Sequence, residues 1–409
     1  MSGARRVVIT GLGQVSSLGS TLEAFEGSLF AGRPGVRRLS RLEVPGVPDP
    51  IGANIPDFDP GRTLPGRNLG LVSLGAQYAH AAAFQAIEMA GLERAGKPGG
   101  LYVGTGFGGI HETENIYRSC FATPPGRPRP GSIPTAMANA PAGFLAAEFQ
   151  LKGPNLTFSV ACASATHAIG EAFRVVRSGE ADLMLAGGVD APLTPIVLAA
   201  WGAMRILAPA GPDPTTACRP FSADRSGIVV GEGAGFLVLE SLEAAQERDA
   251  PILAELAGYG RNADGGHPTH PDPQGVRQCL SLALDDGGVT PHEVGYVNAH
   301  GTGTHANDSI EAEALADILG ERESLLVSST KAVHGHVMGA SGAIEAIATV
   351  RALGRGRFPP TGNLLQADPA LPRLGYIRGE ASEADVRCAL SNSFAFGGNN
   401  AVLVFRRTP

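Results

Sequence analysis

LTFSVACASATHAIGEAFRVVRSG, residues 156–179, and LLVSSTKAVHGHVMGASGAIEAIATVRALG, residues 325–354, share one plan. Each opens with an apolar strand-like run, passes through a polar turn into small residues, and continues as an amphipathic helix. The likeness fits either two similar halves joined around Leu242–Pro251 or the general resemblance of any two strand-turn-helix units. Outward from these segments, apolar runs of strand length recur at Arg6–Thr10, Leu101–Val103, Leu183–Ala186, Gly235–Glu240, Tyr296–Asn298, Leu325–Ser328 and Ala401–Phe405. Helical periodicity lies between them, as in Leu71–Met89 and Ser309–Ile318. Strands alternating with helices predict an α/β protein with parallel sheets covered on both faces. The 56 glycines and 31 prolines are spread along the chain rather than gathered in a linker, which suits many tight turns between short elements.

A chain of 409 residues with 43% hydrophobic composition can bury a large core, as one big domain or two fused ones. Its formal net charge of −7 argues against a nucleic-acid binder, which needs a basic face for phosphates. An acidic partner would have to meet a local basic patch. Five cysteines, odd in number and without CxxC spacing, suggest neither a disulfide framework nor a zinc knuckle. The opening MSGARRVVITGLG is a short strand-like run ended by glycine, not a leader with an apolar core, and no apolar stretch approaches the roughly 20 residues that cross a bilayer. The expectation is a cytoplasmic protein without membrane contact.

Chemistry concentrates at three points. Cys162, in Ser159-Val-Ala-Cys-Ala-Ser-Ala165, follows a strand and precedes closely packed helix residues. That places the thiol at a helix N-terminus, where the macrodipole favours a thiolate and free N–H groups can receive an oxyanion. A lone cysteine in such a place is more often core than nucleophile, so it needs partners. His300 stands in Val297-Asn-Ala-His-Gly-Thr-Gly-Thr304, and His336 in Lys331-Ala-Val-His-Gly-His-Val-Met-Gly-Ala-Ser-Gly342. Two histidines at strand-to-loop transitions together with a helix-start cysteine are hard to explain as packing. Gly104-Thr-Gly-Phe-Gly-Gly109 matches a dinucleotide fingerprint but lacks the acidic residue about 20 positions later. His267 with His270, and His334 with His336, lack cysteine or carboxylate companions at ligand spacing, so no metal is expected.

The Cys162 segment, NAHGTGT at 298–304, the Lys331 and His336 pair and NSFAFGGNN at 392–400 resemble the elongating β-ketoacyl-acyl-carrier-protein synthases, including type II polyketide relatives. GLGQVSSLG near the start and RPFSADRSGIVVGEGAG at 219–235 extend the likeness over nearly the whole chain. The resemblance implies the thiolase-like fold, two similar βαβαβαββ-type halves (1–250 carrying the cysteine, 251–409 the histidines) in five αβαβα layers. It implies that Cys162 holds the acyl group, with its own N–H and that of Phe396 as oxyanion hole. His300 and His336 donate to the malonyl thioester oxygen, Lys331 orders the second histidine with Glu345 beside it, and Thr302 and Thr304 support the site. Phe394 and Phe396 form a gate. Phe107, Leu198 and Trp201 bound the acyl pocket, Phe107 at its floor, so that long saturated chains fit poorly. Arg205 and Arg67 dock an acidic acyl carrier protein, whose phosphopantetheine arm carries the substrates without any further cofactor. The expected assembly is a homodimer, or a heterodimer with a chain-length partner. A thiolase would offer a second cysteine where this chain has Phe396-Gly-Gly-Asn399, and an initiating synthase a His/Asn pair. A Cys/His hydrolase would not need Lys331 or paired histidines, and a non-catalytic chain-length subunit normally lacks the cysteine.

Overall fold

The computed structural model describes residues 5–92 and 99–408. Eleven strands form one continuous sheet: β1 Val7–Val15, β2 Gly100–Gly104, β3 Asn155–Phe158, β4 Leu183–Asp190, β5 Gly233–Ser241, β6 Ala254–Ala263, β7 Val294–Asn298, β8 Leu326–Ser328, β9 Gly375–Tyr376, β10 Cys388–Ala395 and β11 Asn399–Arg406. Their spatial order is β9-β8-β7-β10-β11-β6-β1-β5-β4-β2-β3. Leaving out the short edge strand β9, each half reads third, second, fourth, fifth, first in its own sequence order. The directions match too. The second strand runs parallel to the third and fourth, and the fifth runs antiparallel to the fourth and first, in both halves. A chance likeness of two strand-helix units would not repeat five strand positions and four pairing directions. The halves meet edge to edge where Val7, Val8 and Ile9 pair antiparallel with Leu256, Glu255 and Ala254.

Helices complete five layers. Helix α1, Leu74–Met89, covers the first half's outer face; α3, Pro273–Gly287, and α4, His305–Leu319, cover that of the second. Between the halves lie α2, Ser164–Ser178, and α5, Ser341–Arg355, packed on each other and on strands of both. These are the helices of the two quoted segments. Small residues are what allow the depth of burial: Ala165, Ala168 and Ala172 of α2 and Ala343, Ala346 and Ala348 of α5 are buried in one apolar cluster. On the outer face the fit is closer still, since a Cβ on Gly11 or Gly13 of β1 would stand 2.0 Å from the Ala86 or Ala82 carbonyl oxygen of α1. Alanine on the helix facing glycine on the strand brings the two backbones together.

Element boundaries follow capping. Helix α1 starts at Leu74, three residues later than the periodicity suggests, because Ser73 Oγ accepts the Ala76 N–H. Helix α4 starts earlier, at His305, because Thr304 caps it. Among the described residues no helix is long and apolar enough to cross a membrane.

Candidate active site

After β3 the chain enters a one-turn 3-10 segment, Ala161–Ala163, that leads directly into α2. Ala161 has φ of +50°, a left-handed conformation that non-glycine residues rarely adopt. Ser164 holds it there: its hydroxyl donates to the Ala161 carbonyl at 2.7 Å and accepts the Val160 N–H at 2.9 Å. Cys162 rides at the apex, only 9% exposed, at the start of α2. Burial pushes its thiol up to about 12, against the opposing charge of Lys331. Desolvation of a charged sulfur thus works against the thiolate that the helix terminus favours.

The first histidine hangs from the end of β7. His300 and Gly301 donate their backbone N–H groups to the two oxygens of Glu311, each at 2.8 Å, and Asn392 Nδ2 donates to the same carboxylate at 3.0 Å. Lys331 Nζ lies 3.3 Å from His300 Nδ1 and forms a buried ion pair with Glu345. An ammonium only donates, so Nδ1 accepts and the imidazole proton sits on Nε2. His336 reaches the same tautomer by another route: the Met338 N–H donates to its Nδ1 at 3.1 Å, with Ser341 Oγ at 3.0 Å. Lys331 thus orders His300, not His336 as the resemblance implied. The short helix Lys331–His334 aims the lysine stem across at β7, whereas His336 is held by its own following turn. Burial first, then the Lys331 charge, holds both imidazoles well below their ordinary value. Both are neutral near pH 7, their ring centroids 5.6 Å apart.

Cys162, His300 and His336 line one cavity of about 590 Å³, with Thr302, Thr304, Phe394 and Phe396. Thr302 and Thr304 hydroxyls are 2.9 Å apart. Phe394 packs edge-on against His300, and Phe396 lies against Trp201 in a turn made by Gly397 and Gly398, both at positive φ. Of the three residues expected to bound the acyl pocket, Trp201 alone lines this cavity. Phe107 stacks edge-on against Trp201 from behind, and Leu198 faces a separate groove. Phe107 does not line this cavity, but it packs in one cluster with Leu198, Trp201, Ile228, Val230 and Met338, and Asp190 accepts its backbone N–H at 3.0 Å. Arg205 is exposed beside Ile206, a cavity residue, and makes no ion pair among the described residues. Arg67 is bound to Glu148 at 2.7 Å, an ordinary surface pair.

The other histidines singled out in the sequence, His334, His267 and His270, make different contacts. His334 is buried, Nδ1 donating to the Gly335 carbonyl and Nε2 facing Thr330 Oγ1 at 3.0 Å. His267 and His270 contact each other at 3.1 Å at the cavity wall. Among the described residues no group of three or more His, Cys, Asp or Glu side chains is placed to hold a metal ion.

Two residues central to this geometry carried no signal of their own. Glu311 looks like one more polar residue of α4. Asp190, at the end of β4, accepts from Thr105 Oγ1, Gly106 N, Phe107 N and Gly339 N at 2.6–3.0 Å. It straps the Gly104–Gly109 loop of one half to the turn beside His336 of the other. Burial raises its carboxyl to about 6, with those donors opposing.

Comparison with known proteins agrees with this arrangement. Residues 4–245 match the family "Beta-ketoacyl synthase, N-terminal domain", and residues 253–365 "Beta-ketoacyl synthase, C-terminal domain". A 3-oxoacyl-[acyl-carrier-protein] synthase 2 of Coxiella burnetii is 39% identical, over 98% of this chain and 99% of the relative. The solved ishigamide ketosynthase/chain length factor superposes with a TM-score of 0.93 at 38% identity, covering 100% of both chains. A type II PKS acyl-carrier protein in complex with its ketosynthase gives 0.89 at 29% identity, covering 99% of this chain and 100% of that one. With the cysteine, the paired histidines and the duplicated thiolase-like halves, these matches place the chain in the β-ketoacyl synthase family of condensing acyltransferases.

Proposed function

We propose that the chain catalyses decarboxylative condensation of an acyl group with a malonyl unit, both delivered as thioesters of acyl carrier protein. The observation that carries this reading is the pair of neutral imidazoles, each with its proton on Nε2, lining the cavity that holds Cys162. The Cys162 sulfur attacks the acyl thioester carbonyl. The carrier's thiol leaves with the cysteine proton, and the acyl group stays on Sγ. N–H groups at residues 162 and 396 receive the transient oxyanion.

A malonyl thioester then enters by its phosphopantetheine arm, along Thr302 and Thr304. The two Nε2–H groups donate to its thioester oxygen. The carboxylate departs as carbon dioxide, and its bonding electrons become an enolate. The enolate carbon attacks the Cys162-bound carbonyl, forming the new carbon–carbon bond. Sγ leaves as a thiolate and regains a proton from solvent. Neutral imidazoles suit the step because a donor stabilises the enolate without protonating it. Lys331 and Glu345 keep His300 in its donating tautomer, Phe394 and Phe396 gate the passage, and no further cofactor takes part.

The carrier protein docks beside the cavity mouth at Arg205, and the chain works in the cytoplasm. It pairs with a second copy or with a chain-length partner, its two halves dividing near residue 250. A chain-length subunit reading is less suited, because Cys162 stands opposite two histidines. The test is to supply acyl- and malonyl-carrier protein and measure carbon dioxide release and 3-oxoacyl product together. Product formation that is absent with every acyl donor would overturn the reading.

A further inference from the structure

RPFSADRSG, residues 219–227, supplies no residue to the lining of the catalytic cavity. It grips instead the turn Thr302-Gly303-Thr304, whose threonines do line it. Both polar backbone atoms of Gly303 are held: the Gly227 N–H donates to its carbonyl at 3.0 Å, and its own N–H donates to Asp308 Oδ1 at 3.2 Å. Gly303 has φ of +81°, and a Cβ there would stand 2.9 Å from the Gly227 carbonyl oxygen. The two segments therefore meet backbone to backbone. Asp308 Oδ2 in turn accepts the N–H of Phe221, a non-glycine residue at φ of +64°, at 2.9 Å.

Arg225 ties these parts together. It is 3% exposed, and Asp308 is wholly buried. Nη1 donates to Asp368 Oδ2 at 2.7 Å and to the Ser222 carbonyl at 2.8 Å, Nη2 donates to Ser309 Oγ at 3.0 Å, and Nε lies 3.8 Å from Asp308 Oδ2. One guanidinium thus fixes its own segment, the first turn of α4 and the loop at Asp368. Glu311, one turn further along α4, holds His300 and Gly301. The loop is therefore held at two points, by Glu311 at the imidazole and by Asp308 at the threonines.

We propose that Arg225 is a positioning residue for the carrier arm: through Asp308 and the first turn of α4 it fixes the peptide planes on either side of Gly303, which aim Thr302 and Thr304 at the arm. This rests on the condensation reading above. The phosphopantetheine arm carries two amides, each able to hydrogen-bond a hydroxyl, and the Thr302 and Thr304 hydroxyls stand 2.9 Å apart. Loosening the turn weakens those bonds while Glu311 still holds His300, so binding of the arm suffers rather than the chemical step.

Chains already acylated on Cys162 would be mixed with malonyl-pantetheine, or with malonyl ethyl thioester, which has no amide, and clearance of the acyl mass followed by mass spectrometry. In R225M the half-saturating concentration of malonyl-pantetheine should rise about tenfold, the scale of a lost hydrogen bond, with maximal clearance within about twofold of the parent. R225K, which keeps the charge, and D368N, which removes an anchor at the partly exposed edge of the network, should each give about threefold. Clearance by the ethyl thioester should stay at the parental rate in all three. Combined with Thr302→Val, R225M should raise the pantetheine value by less than the product of the two single effects. A loss equal for the two donors overturns the proposal, because a general structural role would produce it. So does a full product of effects with Thr302→Val, or a parental pantetheine value in R225K and D368N should R225M fail to fold. If malonyl-carrier protein clears no acyl mass from the parent, the proposed function fails and takes this inference with it.

Discussion

His300 and His336 reach the same tautomer through different partners, an ammonium in one case and a backbone N–H in the other. Under the proposed function, removing either imidazole deletes one of two donors to the developing enolate. His300→Ala and His336→Ala should each lower condensation by roughly 10²-fold, the scale of an oxyanion donor, while Cys162 still accepts an acyl group. Steady-state rates with malonyl-carrier protein check this, and unchanged turnover in either variant would remove that residue from the mechanism. His334 differs although it shares their motif. It is fully buried, and burial with the nearby Lys331 charge pushes it down to about 3. Its folded-state pKa lies below the unfolded value near 6.5, so the unfolded chain takes up a proton that the folded chain refuses once pH falls below 6.5. Above that pH the group adds no slope. Replacing it by Gln, which keeps a donor for Gly335 and an acceptor for Thr330, should reduce the stability lost between pH 7 and pH 5 by about 2 kcal/mol. Urea melts of both proteins at the two pH values measure it, and equal losses would contradict it.

At the scale of elements, the cavity exists because two strand-turn-helix units of opposite halves meet at α2 and α5. Asp190 fastens them through donors from residues 105–107 and from Gly339. Asp190→Ala would leave four donors without their acceptor, two of them buried and two half-buried, and should cost about 3 kcal/mol or more, seen as a lower urea midpoint. It should also slow decarboxylation, because Met338, the residue before Gly339, orients His336. Wild-type stability in this variant would refute the strap. The contrast between legible and hidden parts has a physical origin. The strands were legible because apolar runs buried on both faces leave a continuous signature, and Cys162, His300 and His336 because each sits among small residues. Asp190 and Glu311 were hidden because their meaning lies in backbone donors up to 149 and 11 residues away.

For the whole molecule, a net charge of −7 must still admit the acidic carrier that the resemblance implies. Arg205 is exposed beside a cavity residue and unpaired among the described residues, whereas Arg67 is already neutralised by Glu148. Arg205→Glu should therefore raise KM for the carrier-bound substrate and flatten its salt dependence, leaving kcat little changed. Arg67→Glu should do much less, and equal effects at the two positions would contradict the docking assignment. Under the proposed function two half-reactions share one cavity: acyl capture by the cysteine and enolate formation by the histidines. Mass spectrometry of the intact chain tests both in one experiment, loading Cys162 from an acyl-carrier protein and then chasing with malonyl-carrier protein. The acyl mass should appear on parent, His300→Ala and His336→Ala alike, be absent from Cys162→Ala, and clear rapidly on the chase in the parent alone. Clearance at the parental rate in the histidine variants, or an acyl mass that persists in Cys162→Ala, would contradict it.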